Sequence, residues 1–382
     1  DVATGEEHSC AILSDGSAWC WGENGKGQLG DNTTTDRFTA TRVVGPGGSG
    51  YLSGVVGLTV GREQTCAFLG DGSTYCWGEN GNGQVGDGTT TDRRSPTRVR
   101  GIGGVGWLSG VVGIDAGREY TCARLSDDTM ACWGDNAKGQ LGDGTGRDRR
   151  TPVTVVGSGG SGSFAPVAAI GMGFQHSCAV LTNGTAWCWG EGGRDRLGNG
   201  STSDRYLPTQ VLGAGGVGFL TNVSQISGGD QHSCAAATDG TAWCWGRNDQ
   251  GQLGTGSTSD ETYPAQVSGR GGSGILTGVA TVGSGSDHTC SRHGDGSVSC
   301  WGANSRGQLG DGTTTRRLSP TQVVGPGAVG TFEDAFQVSV DWYHTCAARG
   351  AGEAWCWGGN DRGQLGDGTT TDSPYPVEVS GL

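Results

Sequence analysis

Cysteine spacing constrains this chain more than any other feature. The pairs are Cys10 and Cys20, Cys66 and Cys76, Cys122 and Cys132, Cys178 and Cys188, Cys234 and Cys244, Cys290 and Cys300, and Cys346 and Cys356. Partners lie ten residues apart, and each pair begins 56 residues after the last. This is a seven-fold tandem repeat with no insertion or deletion between pairs. A fixed period of this size points to a propeller or solenoid rather than to separate domains. Residues 1–382 are therefore expected to form one domain.

Other positions keep the same step. Eight residues before each first Cys stands an aliphatic: Val2, Leu58, Ile114, Ile170, Ile226, Val282 and Val338. Trp-Gly follows each second Cys, from Trp21 to Trp357, and six repeats carry a further strand candidate opened by Pro, as in Pro96-Thr97-Arg98-Val99. No amphipathic helix of useful length is present. About four short antiparallel strands per 56-residue repeat predicts an all-β fold, a seven-bladed β-propeller. The 79 Gly and 10 Pro approach a disordered composition, but 13 Trp and 14 Cys argue for an ordered chain.

Between the cysteines of each pair sits a turn, such as Ser14-Asp15-Gly16, Asp71-Gly72 or Asp239-Gly240. A three-residue loop with Gly in the left-handed position sets Cys10 directly opposite Cys20. Non-hydrogen-bonded antiparallel partners have Cα atoms about 4.5 Å apart, at the short end of disulfide geometry. Seven hairpin disulfides are thus predicted, each worth about 3 kcal/mol by chain entropy. Zinc and haem sites need shorter spacings. Persistent disulfides place the chain in an extracellular, cell-surface or periplasmic compartment.

The segment after each Trp carries recognisable words. The first repeat reads Trp21-Gly22-Glu23-Asn24-Gly25-Lys26-Gly27-Gln28-Leu29-Gly30, and the fifth reads Gly229-Asp230-Gln231-His232-Ser233-Cys234-Ala235 upstream. This resembles the repeat of the regulator of chromosome condensation (RCC1-like) family, along the whole chain. The resemblance implies a seven-bladed propeller. Repeat four departs, with Gly193-Arg194-Asp195-Arg196-Leu197 where the others have Gly-Gln-Leu or Gly-Gln-Val. The founding member of the family is nuclear, binds chromatin and catalyses nucleotide exchange on a small GTPase. Neither activity suits an acidic chain stapled by disulfides. Secreted bacterial members, one of which covers an enzyme with a propeller face, match the compartment better. The hairpin cysteines are outside the general family pattern and mark a disulfide-bearing, secreted bacterial-type branch.

Several motifs have a plain reading beside a functional one. His8, His176, His232, His288 and His344 recur two residues before the first Cys, with Gln64 and Tyr120 in the other repeats. One per blade cannot gather round a metal, so a structural hydrogen bond is expected. Gly45, Gly47 and Gly50 spell a dinucleotide-like pattern, but that reading needs a βαβ unit and a helix N-terminus. The same loops carry Tyr51, Trp107, Phe164, Phe219, Ile275 and Phe332. These side chains either cover blade ends or form a ring of exposed anchors for a partner. Asp87 and Asp92, with hydroxyls between them, offer a calcium loop, yet lack the alternating carboxylates of a strong site. Aspartates capping turn amides suit the loop better.

A net charge of −13 argues against nucleic acid, and no apolar run is long enough for a transmembrane helix. There is no starting Met and no signal-like leader, as in a mature or trimmed chain. No isolated Cys and no acid–base pair suggests an active site, so the chain is not expected to be an enzyme. The function expected is a secreted or surface-exposed scaffold propeller that binds a protein or itself. The alternative is a structural unit of a self-assembling layer or filament, with nucleotide exchange or enzyme activity behind both.

Overall fold

Each repeat folds into one four-stranded antiparallel sheet of consecutive strands, and seven such sheets build a β-propeller. The computed structural model describes residues 1–350 and 352–382. In the first blade the strands are Val2–Thr4, His8–Ile12, Ala18–Gly22 and Arg37–Arg42. In the second they are Val55–Val60, Gln64–Leu69, Thr74–Gly78 and Arg93–Arg98. The first strand of every blade lines a shared cavity on the axis.

The central hairpin has the expected register. Cys10 faces Cys20, Ala11 faces Trp19 and Ile12 faces Ala18. Gly16 takes φ 76°, which closes the turn with Gly16 N–H donating to Leu13 O at 2.9 Å. All seven cystines form within blades, with Cα atoms 4.0–4.1 Å apart, and all fourteen cysteines are buried.

Side chains alternate along the third strand, so Cys20 and Trp21 serve opposite blade faces. Cys10, Cys20, Leu29 and Val43 pack on Val55, Leu58 and Trp77 of the next blade. Trp77 is buried there, and its Nε1–H donates to Gln28 O of the first blade at 2.9 Å. The same bond recurs around the ring, from Trp133 to Gln84 O and from Trp189 to Gln140 O. The core is therefore a set of seven apolar layers between blades rather than one central mass.

The outer strand corrects one expectation. It begins three residues before the Pro rather than at it. Gly78 faces Arg93 and Cys76 faces Thr97, with a register shift between them that leaves Pro96 inside an irregularity. A residue without an N–H is tolerated there, and on an outer edge it also discourages pairing with another chain.

The ring closes without strand exchange. Trp21 Nε1–H donates to Gln364 O at 2.9 Å, the bond found between all other blades. Val2, Ala11 and Trp21 pack with Cys356, Leu365 and Val379.

Candidate interaction face and axial channel

Successive antiparallel strands reverse direction, so their connections alternate between the two faces of the ring. Hairpin turns and Gly-rich loops share one face: Val55 N–H donates to Gly16 O at 3.0 Å. Thr-rich loops and the links from first to second strand share the other: Glu23 N–H donates to Glu7 O at 2.8 Å.

Each Gly-rich loop is tied by its own backbone. Gly45 N–H donates to Gly50 O at 3.0 Å around a single 3₁₀ turn over Pro46–Gly48. No α-helix starts there, so the loop lacks the N-terminus a dinucleotide site requires. Isolated bridges then fix Tyr51 to Val44, Trp107 to Arg100, Phe219 to Leu212 and Ile275 to Ser268. These four side chains are 59%, 47%, 53% and 49% exposed. Arg42 lies 4.6 Å from the Tyr51 ring centroid, and Arg100 lies 4.6 Å from that of Trp107.

Phe164 and Phe332 are corrected: both are buried. The bridge positions in their loops are held by Ser163 and Thr331. Phe164 and Phe332 stand one residue later, where Leu52, Leu108, Leu220 and Leu276 enter the core. Phe164 meets Trp187 and Trp189 edge-on, with centroids 5.7 and 5.6 Å away. Sequence reasoning also missed Val105, Val217 and Val329, which stand 82%, 81% and 77% exposed on the same loops. Their signal was an aliphatic at one step of alternate repeats.

On the other face the Thr-rich loops are self-contained. Asp87 Oδ1 accepts from Thr89 N–H at 2.8 Å and Thr89 Oγ1–H at 2.7 Å, while Oδ2 accepts from Arg93 Nε–H at 2.7 Å. Asp92 Oδ1 accepts from Asn80 N–H at 2.9 Å. Burial alone would raise the Asp87 pKa, but bonds from Thr89 and Arg93 hold it below the usual carboxylate range. These carboxylates are spent on capping, which leaves little for the calcium ion considered above. In repeat four Arg196 is buried, and its Nη1–H donates to Glu191 Oε2 at 2.6 Å and to Asp230 O at 3.0 Å.

The recurrent histidines join blades. His8 Nε2 lies 2.9 Å from Thr65 Oγ1, and that hydroxyl donates to Gln28 O at 2.8 Å. The hydroxyl has one proton, so Nε2–H must donate to it, and burial keeps the ring neutral by pushing its pKa down to about 3. The same relay links His176 to Ser233, His232 to Thr289, His288 to Thr345 and His344 to Ser9. Gln64 instead donates to Gly117 O at 3.0 Å, and Tyr120 to His176 O at 2.5 Å.

On the axis lies a cavity of about 300 Å³ walled by all seven inner strands. Phe174 of blade four and Trp342 of blade seven meet there, with ring centroids 5.8 Å apart. Asp115 and Asp341 also line the cavity, and neither was anticipated from the sequence.

Comparisons with known proteins agree with this architecture. The family model described as RCC1-like domain matches residues 108–382, and models of the RCC1 repeat match residues 1–28, 15–68 and 71–124. The chain is 29% identical to the ultraviolet-B receptor UVR8 of Arabidopsis thaliana, covering all of this chain and 81% of that protein. It is 28% identical to the human E3 ubiquitin-protein ligase HERC2 over 96% of this chain but 7% of that protein. It is 27% identical to the secretion-regulating guanine nucleotide exchange factor of Bos taurus, covering 99% and 82%. Among solved structures, Prp20p of Saccharomyces cerevisiae superposes with a TM-score of 0.77 at 19% identity, over 97% of this chain and 88% of that one. Human WBSCR16 does so with a TM-score of 0.75 at 20% identity, over 91% and 86%. With its repeat period, hairpin register and blade topology in agreement with these matches, the chain belongs to the RCC1-like domain family.

Proposed function

We propose that residues 1–382 act as one non-enzymatic binding domain, secreted or exposed at a cell surface, that takes a protein partner on the face bearing the Gly-rich loops. The observation that carries this reading is the group of exposed Tyr51, Trp107, Phe219 and Ile275 with Val105, Val217 and Val329 on that one face. Large apolar side chains in water cost free energy, and aromatic anchors of this type dominate interface energetics. Arg42, Arg98 and Arg100 beside Tyr51 and Trp107 add cations that can pair with acidic groups of a partner. Among similar propellers, Prp20p has binding properties towards Gsp1p and histones, and yeast RCC1 is bound by Kap60. Those relatives support protein binding as the role of this fold, with the partner left to this chain's own surface.

Seven buried cystines support a non-reducing compartment, and a net charge of −13 speaks against nucleic acid as the partner. No helix among the described residues is long and apolar enough to cross a membrane. The second reading, a self-assembling layer or filament, rests on the same apolar face meeting another copy.

Changing Tyr51, Trp107 and Phe219 together to Ser tests the proposal. The melting temperature should stay within a few degrees, while self-association by light scattering or partner capture from native culture fluid is lost. If the variant unfolds, these side chains are blade covers. If it folds and still binds, the Thr-rich face is the binding surface.

A further inference from the structure

The axial cavity collects the places where the seven repeats stop being alike. Gly5, Gly61, Gly117, Gly173, Gly229 and Gly285 occupy one position in six blades, and blade seven has Asp341 there. A Cβ at Gly5 would lie 2.2 Å from Gly61 O and one at Gly61 would lie 2.5 Å from Gly117 O, so the close ring of backbones explains those glycines. It does not call for an Asp. The next position holds Trp342, which meets Phe174 across the axis. Asp115 stands where the other blades have Ala3, Thr59, Gly171, Ser227, Gly283 and Ser339. The fold is satisfied by small residues at both acidic positions.

Of the two carboxyl groups, Asp341 is only partly used. Asp341 Oδ1 accepts from Trp342 N–H at 2.6 Å, and its other oxygen has no hydrogen-bond partner among the described residues. Asp115 Oδ1 accepts from Ala116 N–H at 2.9 Å and Thr59 Oγ1–H at 3.3 Å, and its Oδ2 accepts from Met172 N–H at 2.8 Å. Asp230 and Glu6 add two more acids to the lining, against Arg62 and Arg118. Arg62 is paired with Glu6 at 2.7 Å and with Glu119 at 3.2 Å. Arg118 stacks on Phe174, with Cζ 4.2 Å from the ring centroid. Burial pushes Asp115 up to about 6, and burial with the charges of Glu6, Asp115 and Asp230 pushes Asp341 up to about 8. The lining thus sets four carboxyl groups against two guanidinium groups, and a cation beside Asp341 would displace the proton that this carboxyl largely keeps at neutral pH.

We infer that the axial cavity binds a small organic ammonium ion, its charge against Asp341 and Asp115 and its carbon substituents against Phe174 and Trp342. A volume of about 300 Å³ is at the lower end of small-molecule pockets. Aromatic faces favour organic ammonium groups. A metal ion is disfavoured, because no three ligating His, Cys, Asp or Glu groups come together among the described residues.

Calorimetric titration of the intact, oxidised chain with choline tests this, with 3,3-dimethylbutanol as the neutral isostere. One choline should bind per chain, shift Trp emission, and bind at least about tenfold more tightly than the alcohol. Asp341→Gly, which installs the residue of the other six blades, should keep the melting temperature and weaken choline at least about tenfold. Trp342→Ser, the residue of blade six, should remove the emission change. The inference falls if choline does not bind, if the alcohol binds equally, or if folded Asp341→Gly binds as the parent does. It also falls if acetate binds in place of choline, which would assign the cavity to Arg62 and Arg118.

Discussion

A single imidazole shows how the repeat turns chemistry into cohesion. His288 Nε2–H donates to Thr345 Oγ1 at 2.9 Å, and Thr345 donates to Gln308 O at 3.0 Å, so one proton chain crosses the joint between blades six and seven. Its Nδ1 is buried with no polar partner among the described residues. Burial, with smaller contributions from His344 and His232, pushes the His288 pKa down to about 3. An unfolded His titrates near 6.5, so the unfolded chain takes up the proton first as pH falls. The stability contributed by neutral His288 is therefore present above about pH 6.5 and is lost progressively as pH falls towards 3. Glu23 and Glu79, raised to about 7, act in the opposite sense over part of that window. A difference measurement removes them. His288→Gln uses the side chain of Gln64, already accepted at this joint in blade two. Calorimetry from pH 7 to 4 should show the variant losing stability less steeply than the parent, by at most about 1.4 kcal/mol per pH unit. Parallel curves would mean that His288 can be protonated in place.

At the scale of strands, what the sequence revealed depended on how strictly local chemistry sets geometry. The hairpin between paired cysteines was legible because a left-handed Gly allows few registers, and Cys10 does face Cys20. The start of the outer strand was not, because Pro96 reads as a boundary when considered alone. A register shift on the neighbouring strand accommodates it inside. Phe164 and Phe332 were misplaced when residue type was given more weight than the 56-residue step, which selects Ser163 and Thr331. The axial carboxylates were readable in principle, since Asp341 interrupts a column of six glycines. Their meeting on the axis depends on ring closure, which no local pattern encodes. Blade one provides a sharper case. Six outer strands carry Pro where blade one has Ala40, and Ala40 N–H donates to Ser380 O at 2.9 Å. The missing Pro thus supplies the donor that holds the last segment against the first blade. Ala40→Pro should cost about 1 kcal/mol, the worth of one such bond. Removing residues 380–382 also takes away the Ser380 N–H to Gly366 O bond and the packing of Leu382, so it should cost more, and adding Ala40→Pro to the truncated chain should cost little further. Additive losses in urea unfolding would show that the two sites are independent.

For the whole molecule, the decisive fact is that every blade is a continuous piece of chain and every cystine stays within its blade. Covalent cross-links stay within seven stapled sheets, and side-chain layers with backbone bonds such as Val55 N–H to Gly16 O join neighbouring sheets into a ring. The joint between blades seven and one uses the same components as the rest. Trp21 donates to Gln364 O, Ser9 lies 2.8 Å from His344 Nε2, and Thr4 N–H donates to Ser339 Oγ at 3.0 Å. If no joint is special, the position of the chain ends should not matter. By the 56-residue step Leu382 corresponds to Pro46 and Asp1 to Gly57, so the connection other blades have here is the equivalent of residues 47–56. A circular permutant can join Leu382 to Asp1 through a copy of that ten-residue loop and open the chain between Gly103 and Gly104. Those glycines lie in a surface loop, and a Cβ at Gly103 would meet nothing within 4 Å. Exposed loop tips of this type tolerate new ends. The permutant should form the same seven cystines, shown by intact mass before and after reduction, and melt within a few degrees of the parent. A loss of folding would instead mark the joint at Ala40 and Ser380 as a point where assembly must begin. The ring would then have a fixed first and last blade despite its repeated sequence.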